Sequence, residues 1–342
     1  MRILVVSLLG LATLLSCENI TSAKAEQQAE TSITTNQKTM KKIQFNSAGA
    51  TLTGNLYYPA NFEATKAYPT VIVSGSWTTV KEQMAGLYAQ RLADKGYIAL
   101  AFDFRNFGES EGQPRFYENP SLKKEDIKSA VTYLEGLPEV DNTKIGAMGV
   151  CAGAMYTLMA ASEDTRIRSV VTAASWLHDA DAVQLFYGGE EGVNAKIAAA
   201  QAAKKAYAEH GVVEYIPTIS TEDQSAAMYG PYDYYLNPER GAIKEWSADQ
   251  FAVMSWEDWL TTDPMPSAAS LQSPTLMIHS DGAVLPQYTK NYFEAIATDD
   301  KQLHWMDTDL ESPFHQFAYY DQEAEVTESV ELASDWFSQK MQ

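Results

Sequence analysis

The stretch from Lys144 to Ala154, Lys-Ile-Gly-Ala-Met-Gly-Val-Cys-Ala-Gly-Ala, constrains the fold of this chain more than any other. An apolar run of strand character ends in Gly149-Val150-Cys151-Ala152-Gly153, and a helix of small residues starts at once, running from Ala152 to Ala161. This is the pattern of a nucleophile elbow, with cysteine at the position usually held by serine. A strand that turns into a helix within one residue forces that residue into a strained backbone conformation, and only small neighbours let the two arms approach. The thiol would then stand over a helix N-terminus, whose partial positive charge favours thiolate. A buried core cysteine between two packing glycines is the competing reading. The flanking strand and helix favour the nucleophile.

The chain has 342 residues, 45% of them hydrophobic and 20% charged, so it can bury one large α/β core or two smaller ones. Its formal charge of −20 argues against nucleic acid and against an anionic membrane surface as partners. Met1-Arg2 followed by an apolar run from Ile3 to Leu15 reads as a secretory signal too short to span a bilayer. Two exits are open. Leu14-Leu15-Ser16-Cys17 resembles a lipoprotein box, in which Cys17 becomes the acylated N-terminus; Ala23-Lys24-Ala25 offers ordinary cleavage. Because Cys17 abuts the apolar run, the lipoprotein is favoured, giving an exported, periplasmic or membrane-anchored bacterial protein. Cys151 is then the lone thiol left in an oxidising compartment, which points to a chemical role for it.

Residues 18–39 are polar and read as a disordered tether. The folded domain is expected over 40–342. Two alternating runs around Ser47-Ala48-Gly49 predict an opening hairpin. Thr70–Ser74, Tyr97–Phe104, the elbow strand after Asn142, Ile167–Ala174, Pro274–Ser280 and Gln302–Met306 predict strands, and helices are expected between them. Such alternation implies right-handed crossovers and a doubly wound, mostly parallel sheet, with ligands beyond the carboxyl ends of its strands. The alternation stops between about 176 and 266. That segment holds an alanine-rich helix (Ala195–His210) and a tract dense in Tyr and Trp, read as an inserted, mostly helical lid.

A nucleophile needs a base and a carboxylate to orient it. Of five histidines, His178 and His210 fall in or beside the lid, and His279 and His304 lie inside strands. His315, in a loop beyond the last strand, is therefore the candidate base. Asp281, directly after the strand ending at Ser280, is the leading acid; Asp179, Asp181, Asp307 and Asp309 are its rivals. The oxyanion donors are expected to be the amide of Ala152 and that of Trp77 or Ser76, in the loop leaving the third strand.

These features together make the chain similar to α/β hydrolases, specifically the dienelactone-hydrolase-like branch. The resemblance covers about 40–340. It rests on Ser76-Trp77 with Val80-Lys81-Glu82-Gln83, on Phe102 to Ser110, on Gly149-Val150-Cys151-Ala152-Gly153, on His279-Ser280-Asp281, and on Phe317-Ala318-Tyr319-Tyr320-Asp321. It implies a Cys-His-Asp triad acting on esters or lactones, with no metal or organic cofactor. The order 151, 281, 315 matches that fold's order of nucleophile, acid and histidine. Ala283 stands where many members carry an acidic residue, and Glu82 is a candidate for approach to the thiol. The resulting expectation is hydrolysis of a small-molecule ester, lactone or thioester through an acyl-cysteine. An acyl or polyketide transferase on the same fold is the alternative, and a lipoprotein that only binds an apolar ligand under the lid is the other.

Overall fold

Ala48 and Gly49 both take positive φ (46° and 90°), the backbone that a two-residue hairpin turn requires, and they join β1 (Met40–Ser47) to β2 (Ala50–Tyr57). The structure, a computed structural model, describes residues 40–342. The signal segment, Cys17 and the tether lie outside the described residues.

β3 (Tyr68–Ser74), β4 (Ile98–Phe102), β5 (Val140–Val150), β6 (Ser169–Ala173), β7 (Thr275–His279) and β8 (Lys301–Trp305) complete an eight-stranded sheet of order β1-β2-β4-β3-β5-β6-β7-β8. β2 runs antiparallel to β4, with Gly54 opposite Phe102. The pairs β4–β3, β3–β5, β5–β6, β6–β7 and β7–β8 are parallel. The middle strands are apolar without alternation because helices cover both faces; Ile98–Phe102 is buried at every position. The covering helices are α1 (Met84–Asp94), α2 (Pro120–Glu135), α3 (Ala152–Glu163), α7 (Pro286–Ala295) and α8 (Glu323–Lys340); α4 (Ala180–Phe186), α5 (Gly189–His210) and α6 (Ser255–Thr261) lie in the long segment between β6 and β7. This is the doubly wound architecture expected from the alternation, and it is the α/β-hydrolase type. No helix among the described residues is long and apolar enough to cross a membrane.

Between β6 and β7 the chain forms α4 (Ala180–Phe186) and α5 (Gly189–His210), then largely leaves regular helix. Two two-residue ladders follow, Tyr215–Ile216 with Phe251–Ala252 and Ile219–Ser220 with Met228–Tyr229, and then α6 (Ser255–Thr261). Pro217, Pro231, Pro238 and Pro264 interrupt this half, which is why it is irregular rather than mostly helical. Its aromatics reach the sheet's carboxyl edge: Phe251 and Trp259 lie 4.8 and 5.3 Å from the ring of Trp77.

Candidate active site

Cys151 adopts φ 57°, ψ −122°, a conformation that costs on the order of 1–3 kcal/mol and survives only where its surroundings fix it. They do. Its amide donates to Ala173 O (3.0 Å), and its carbonyl accepts from Trp176 N (3.0 Å) and Ala154 N (3.0 Å). A Cβ at position 149 would lie 2.4 Å from Gly153 O, and one at 153 would lie 2.3 Å from Ser74 O, so neither site admits a side chain. The elbow read from the sequence is present.

The thiol faces a small cavity of about 70 Å³ under the β6–β7 segment, walled by Trp77, Trp176, Tyr187, Trp259, Tyr235 and Phe317. Cys151 is only 4% exposed. Burial pushes its thiol above the ordinary value; hydrogen bonds from Ser76, Tyr320, the Ala152 amide and Gln316 pull it part of the way back. Desolvation thus outweighs the donors, opposite in direction to what a helix N-terminus alone leads one to expect.

Around the sulfur, Tyr235 donates to Ser76 Oγ (3.0 Å), which also meets Tyr320 OH (3.2 Å). Ser76 N is turned to Met84 Sδ (3.5 Å), whereas the amide of Trp77 finds no partner among the described residues. Of the two donors expected in this loop, Trp77 is the one left free. The loop is held from below by Glu118, a fully buried carboxylate. It accepts from Thr78 N (3.1 Å), Tyr156 OH of α3 (2.8 Å) and Lys123 Nζ (2.7 Å), tying the oxyanion loop to the elbow helix. Nothing in the sequence marks Glu118 beyond its place beside the Asn119-Pro120 helix start.

The remaining triad members do not assemble. His315 is buried, but its Nδ1 meets Ser280 Oγ (2.7 Å) and its Nε2 meets Glu325 Oε1 of α8 (3.3 Å). It borders a different surface cavity, with His304, Trp305 and Asp307. The physical reason is local. Phe314–Phe317 is a 3₁₀ turn, in which successive side chains point about 120° apart. One residue on from His315, it is Gln316 that enters the cavity over Cys151. Gln316 donates from Nε2 to Ala174 O (2.7 Å) and Tyr320 OH (3.4 Å) and accepts at Oε1 from Val284 N (3.1 Å).

Asp281 is likewise corrected as the acid: its side chain is 75% exposed and pairs with Lys290 (3.4 Å), not with His315. Asp179 caps α4, accepting from Asp181 N and Ala182 N. Glu82 does not reach the thiol; its carboxylate lies 2.6 Å from Lys81 Nζ. A glutamine beside a histidine in one loop is the signal that could have raised the question of which of the two faces inward.

The site therefore holds an elbow thiol and backbone donors, with an amide where a base would stand. Among the described residues no cluster of His, Cys, Asp and Glu could hold a metal ion.

Comparison with known proteins places this architecture. An uncharacterised protein of Escherichia coli K12, YcjY, is 28% identical over 315 residues, covering 88% of this chain and 99% of YcjY. The crystal structure of the hypothetical protein PA2218 of Pseudomonas aeruginosa matches with a TM-score of 0.76 and 26% identity, over 88% of this chain and 93% of that one. The α/β hydrolase GrgF of Penicillium sp. sh18 shares the fold, with a TM-score of 0.73 at 20% identity, over 88% and 99%. The family match and these neighbours support a hydrolase. The family model of the X-Pro dipeptidyl-peptidase (S15) family matches residues 48–306, well over half of the chain, and the chain belongs to that family.

Proposed function

We propose that the protein takes a small apolar acyl compound, an ester, lactone or thioester, into the cavity over Cys151, and that its thiol accepts the acyl group and passes it to a second nucleophile. The observation that carries this reading is the strained Cys151 backbone, kept at a carbonyl-sized cavity beside the amides of Ala152 and Trp77, with Gln316 in place of an imidazole.

The chemistry follows from those groups. The minor thiolate form of Cys151, its proton given up to solvent, attacks the carbonyl carbon; the bond to the leaving oxygen or sulfur breaks, and that leaving group takes a proton from solvent, so without a base acylation is fast only for an activated leaving group such as p-nitrophenolate. The two amides hold the oxyanion, an arrangement in which one donor is worth about 10²–10³ in rate in hydrolases that use it. Gln316 neither accepts nor delivers a proton near neutrality, so water is not activated and the acyl-cysteine persists until an acceptor arrives. Fast hydrolysis through Cys151, His315 and Asp281 is not part of this proposal, since the two partners face elsewhere.

The test is p-nitrophenyl butyrate with wild type and Cys151→Ala. The proposal expects one equivalent of p-nitrophenol released rapidly and slow turnover afterwards, both lost in Cys151→Ala. No release above that of Cys151→Ala would leave only ligand binding, the reading that the raised thiol pKa favours. Export through residues 1–17, with Cys17 lipidated, belongs to the same proposal on sequence grounds. Metabolic labelling with a fatty acid that fails in wild type as in Cys17→Ser would refute it.

A further inference from the structure

The cavity over Cys151 is not isolated. It shares Trp176, Tyr187, Met228, Val284 and Phe317 with a wider outer chamber of about 380 Å³ beneath α5. The chamber's polar groups are few: Lys196 of α5, Gln224, the hydroxyls of Tyr229 and Tyr232, and the Tyr187 hydroxyl and Trp176 indole N–H, which are engaged by Trp259 and His178. None of its lining residues is Asp or Glu, in a chain with 45 acidic residues against 25 basic ones.

Lys196 is the exception among the lysines. Each other lysine that is at least partly buried ends on a carboxylate, as Lys81, Lys123, Lys204 and Lys340 do, or on backbone carbonyls, as Lys301 does. Lys196 is partly buried and has neither an ion pair nor a hydrogen bond among the described residues. Its ammonium lies 4.5 Å from the centre of the Trp256 ring, a contact that leaves its donors unused. With acidic groups in such excess, an unpaired cation in an acid-free chamber is not what chance pairing produces. Burial holds this ammonium below its ordinary pKa, a cost that an arriving anion offsets.

We infer that the acyl compound carries an anionic group, a carboxylate or phosphate, at the end remote from its reactive carbonyl, and that Lys196 binds that group while the carbonyl lies over Cys151. The inference rests on the acyl-binding reading of the inner cavity. The outer chamber supplies the apolar walls for the intervening chain, and Gln224 supplies a second donor for the anion. The ligand is thus two-ended: an ester or thioester at one end, a charge at the other.

The test uses monomethyl suberate, which bears one carboxylate, and dimethyl suberate, its neutral counterpart. Binding is followed by calorimetry at pH 7 on wild type, Cys151→Ala and Lys196→Gln. Expected is about tenfold tighter binding of the monoester, the scale of one charge-assisted hydrogen bond. That preference should be retained in Cys151→Ala and abolished in Lys196→Gln, with the diester unaffected by the lysine change. Equal binding of the two esters, a preference that survives Lys196→Gln, or no binding of either overturns the inference. The p-nitrophenyl butyrate burst reports separately on the acyl-transfer reading. A burst without ester discrimination removes Lys196 alone, and discrimination without a burst removes acyl transfer alone.

Discussion

Installing the missing base is the most informative perturbation. Gln316→His would place an imidazole where the 3₁₀ turn already aims its side chain, over Cys151. The glutamine gives up its two shorter hydrogen bonds, with Val284 N at 3.1 Å and Ala174 O at 2.7 Å, and a longer one to Tyr320 OH at 3.4 Å. A buried group left unpaired costs about 1–3 kcal/mol, and the imidazole can satisfy only one of the two while its other nitrogen faces the thiol. The variant should therefore be less stable by about 1–3 kcal/mol yet still fold. A positioned general base contributes about 10²–10⁴ in rate. No carboxylate would orient this imidazole, since Ala283 is apolar and Asp281 is exposed, so the low end, about 10²-fold, is the expectation. The assay is the slow phase of p-nitrophenyl butyrate turnover, which reports decay of the acyl-cysteine. In Gln316→His it should accelerate and acquire a pH dependence rising through the imidazole pKa, about 6.5 when unperturbed. His315→Ala should leave the wild-type slow phase unchanged. A folded Gln316→His no faster than wild type, or a wild-type rate that collapses in His315→Ala, would refute the assignment of these two positions.

Gly153→Ala should fold poorly or not at all, because its Cβ would meet Ser74 O at 2.3 Å and Gly75 O at 2.4 Å, both backbone; a thermal melt indistinguishable from wild type would contradict the elbow geometry. Glu118→Gln should lose about 3–5 kcal/mol in urea unfolding, because it leaves the Lys123 ammonium buried without its carboxylate. Replacing both partners by apolar residues of similar volume removes the unpaired ammonium but still strands Thr78 N and the Tyr156 hydroxyl, so it should recover only part of that loss. Stability should also fall as the pH drops from about 6.5 to about 4. Burial holds His178 and His279 near 4 in the fold, so above the unfolded value both states are neutral, and below it only the unfolded chain takes the proton. Each contributes at most about 3 kcal/mol to that loss, and a melting temperature flat across the window would contradict it.

The sheet was legible because its central strands are continuous apolar runs and its helices repeat at 3.6 residues, signals that long-range packing does not alter. The elbow was legible for a different reason. Gly149 is demanded by the backbone of Gly153 and Ala154, a constraint written locally, whereas Gly153 is demanded by Ser74 and Gly75 of the neighbouring strand end and shows in the sequence only through the Gly-x-Cys-x-Gly pattern. The base was not legible, because the facing of His315 against Gln316 depends on a one-residue rotation in a 3₁₀ turn that carries no periodicity. The same holds for Asp281, whose position after a strand fixes the edge on which it emerges but not the direction of its side chain. The thiol's desolvation comes from aromatic walls supplied from as far apart in the chain as Trp77 and Phe317, and a helix N-terminus alone says nothing of it. Glu118 escaped notice because its three partners, Thr78, Lys123 and Tyr156, converge only in the folded chain.

The account's central claim is that Cys151 accepts an acyl group and holds it for want of a base. Its most direct test is mass spectrometry of the tryptic peptide Ile145–Arg166, quenched in acid once wild type has released one equivalent of p-nitrophenol from excess p-nitrophenyl butyrate. One butyryl group on Cys151 is expected, present while ester remains in excess and removed on adding a thiol acceptor. An unmodified peptide at that point, with the equivalent of p-nitrophenol released, would contradict it.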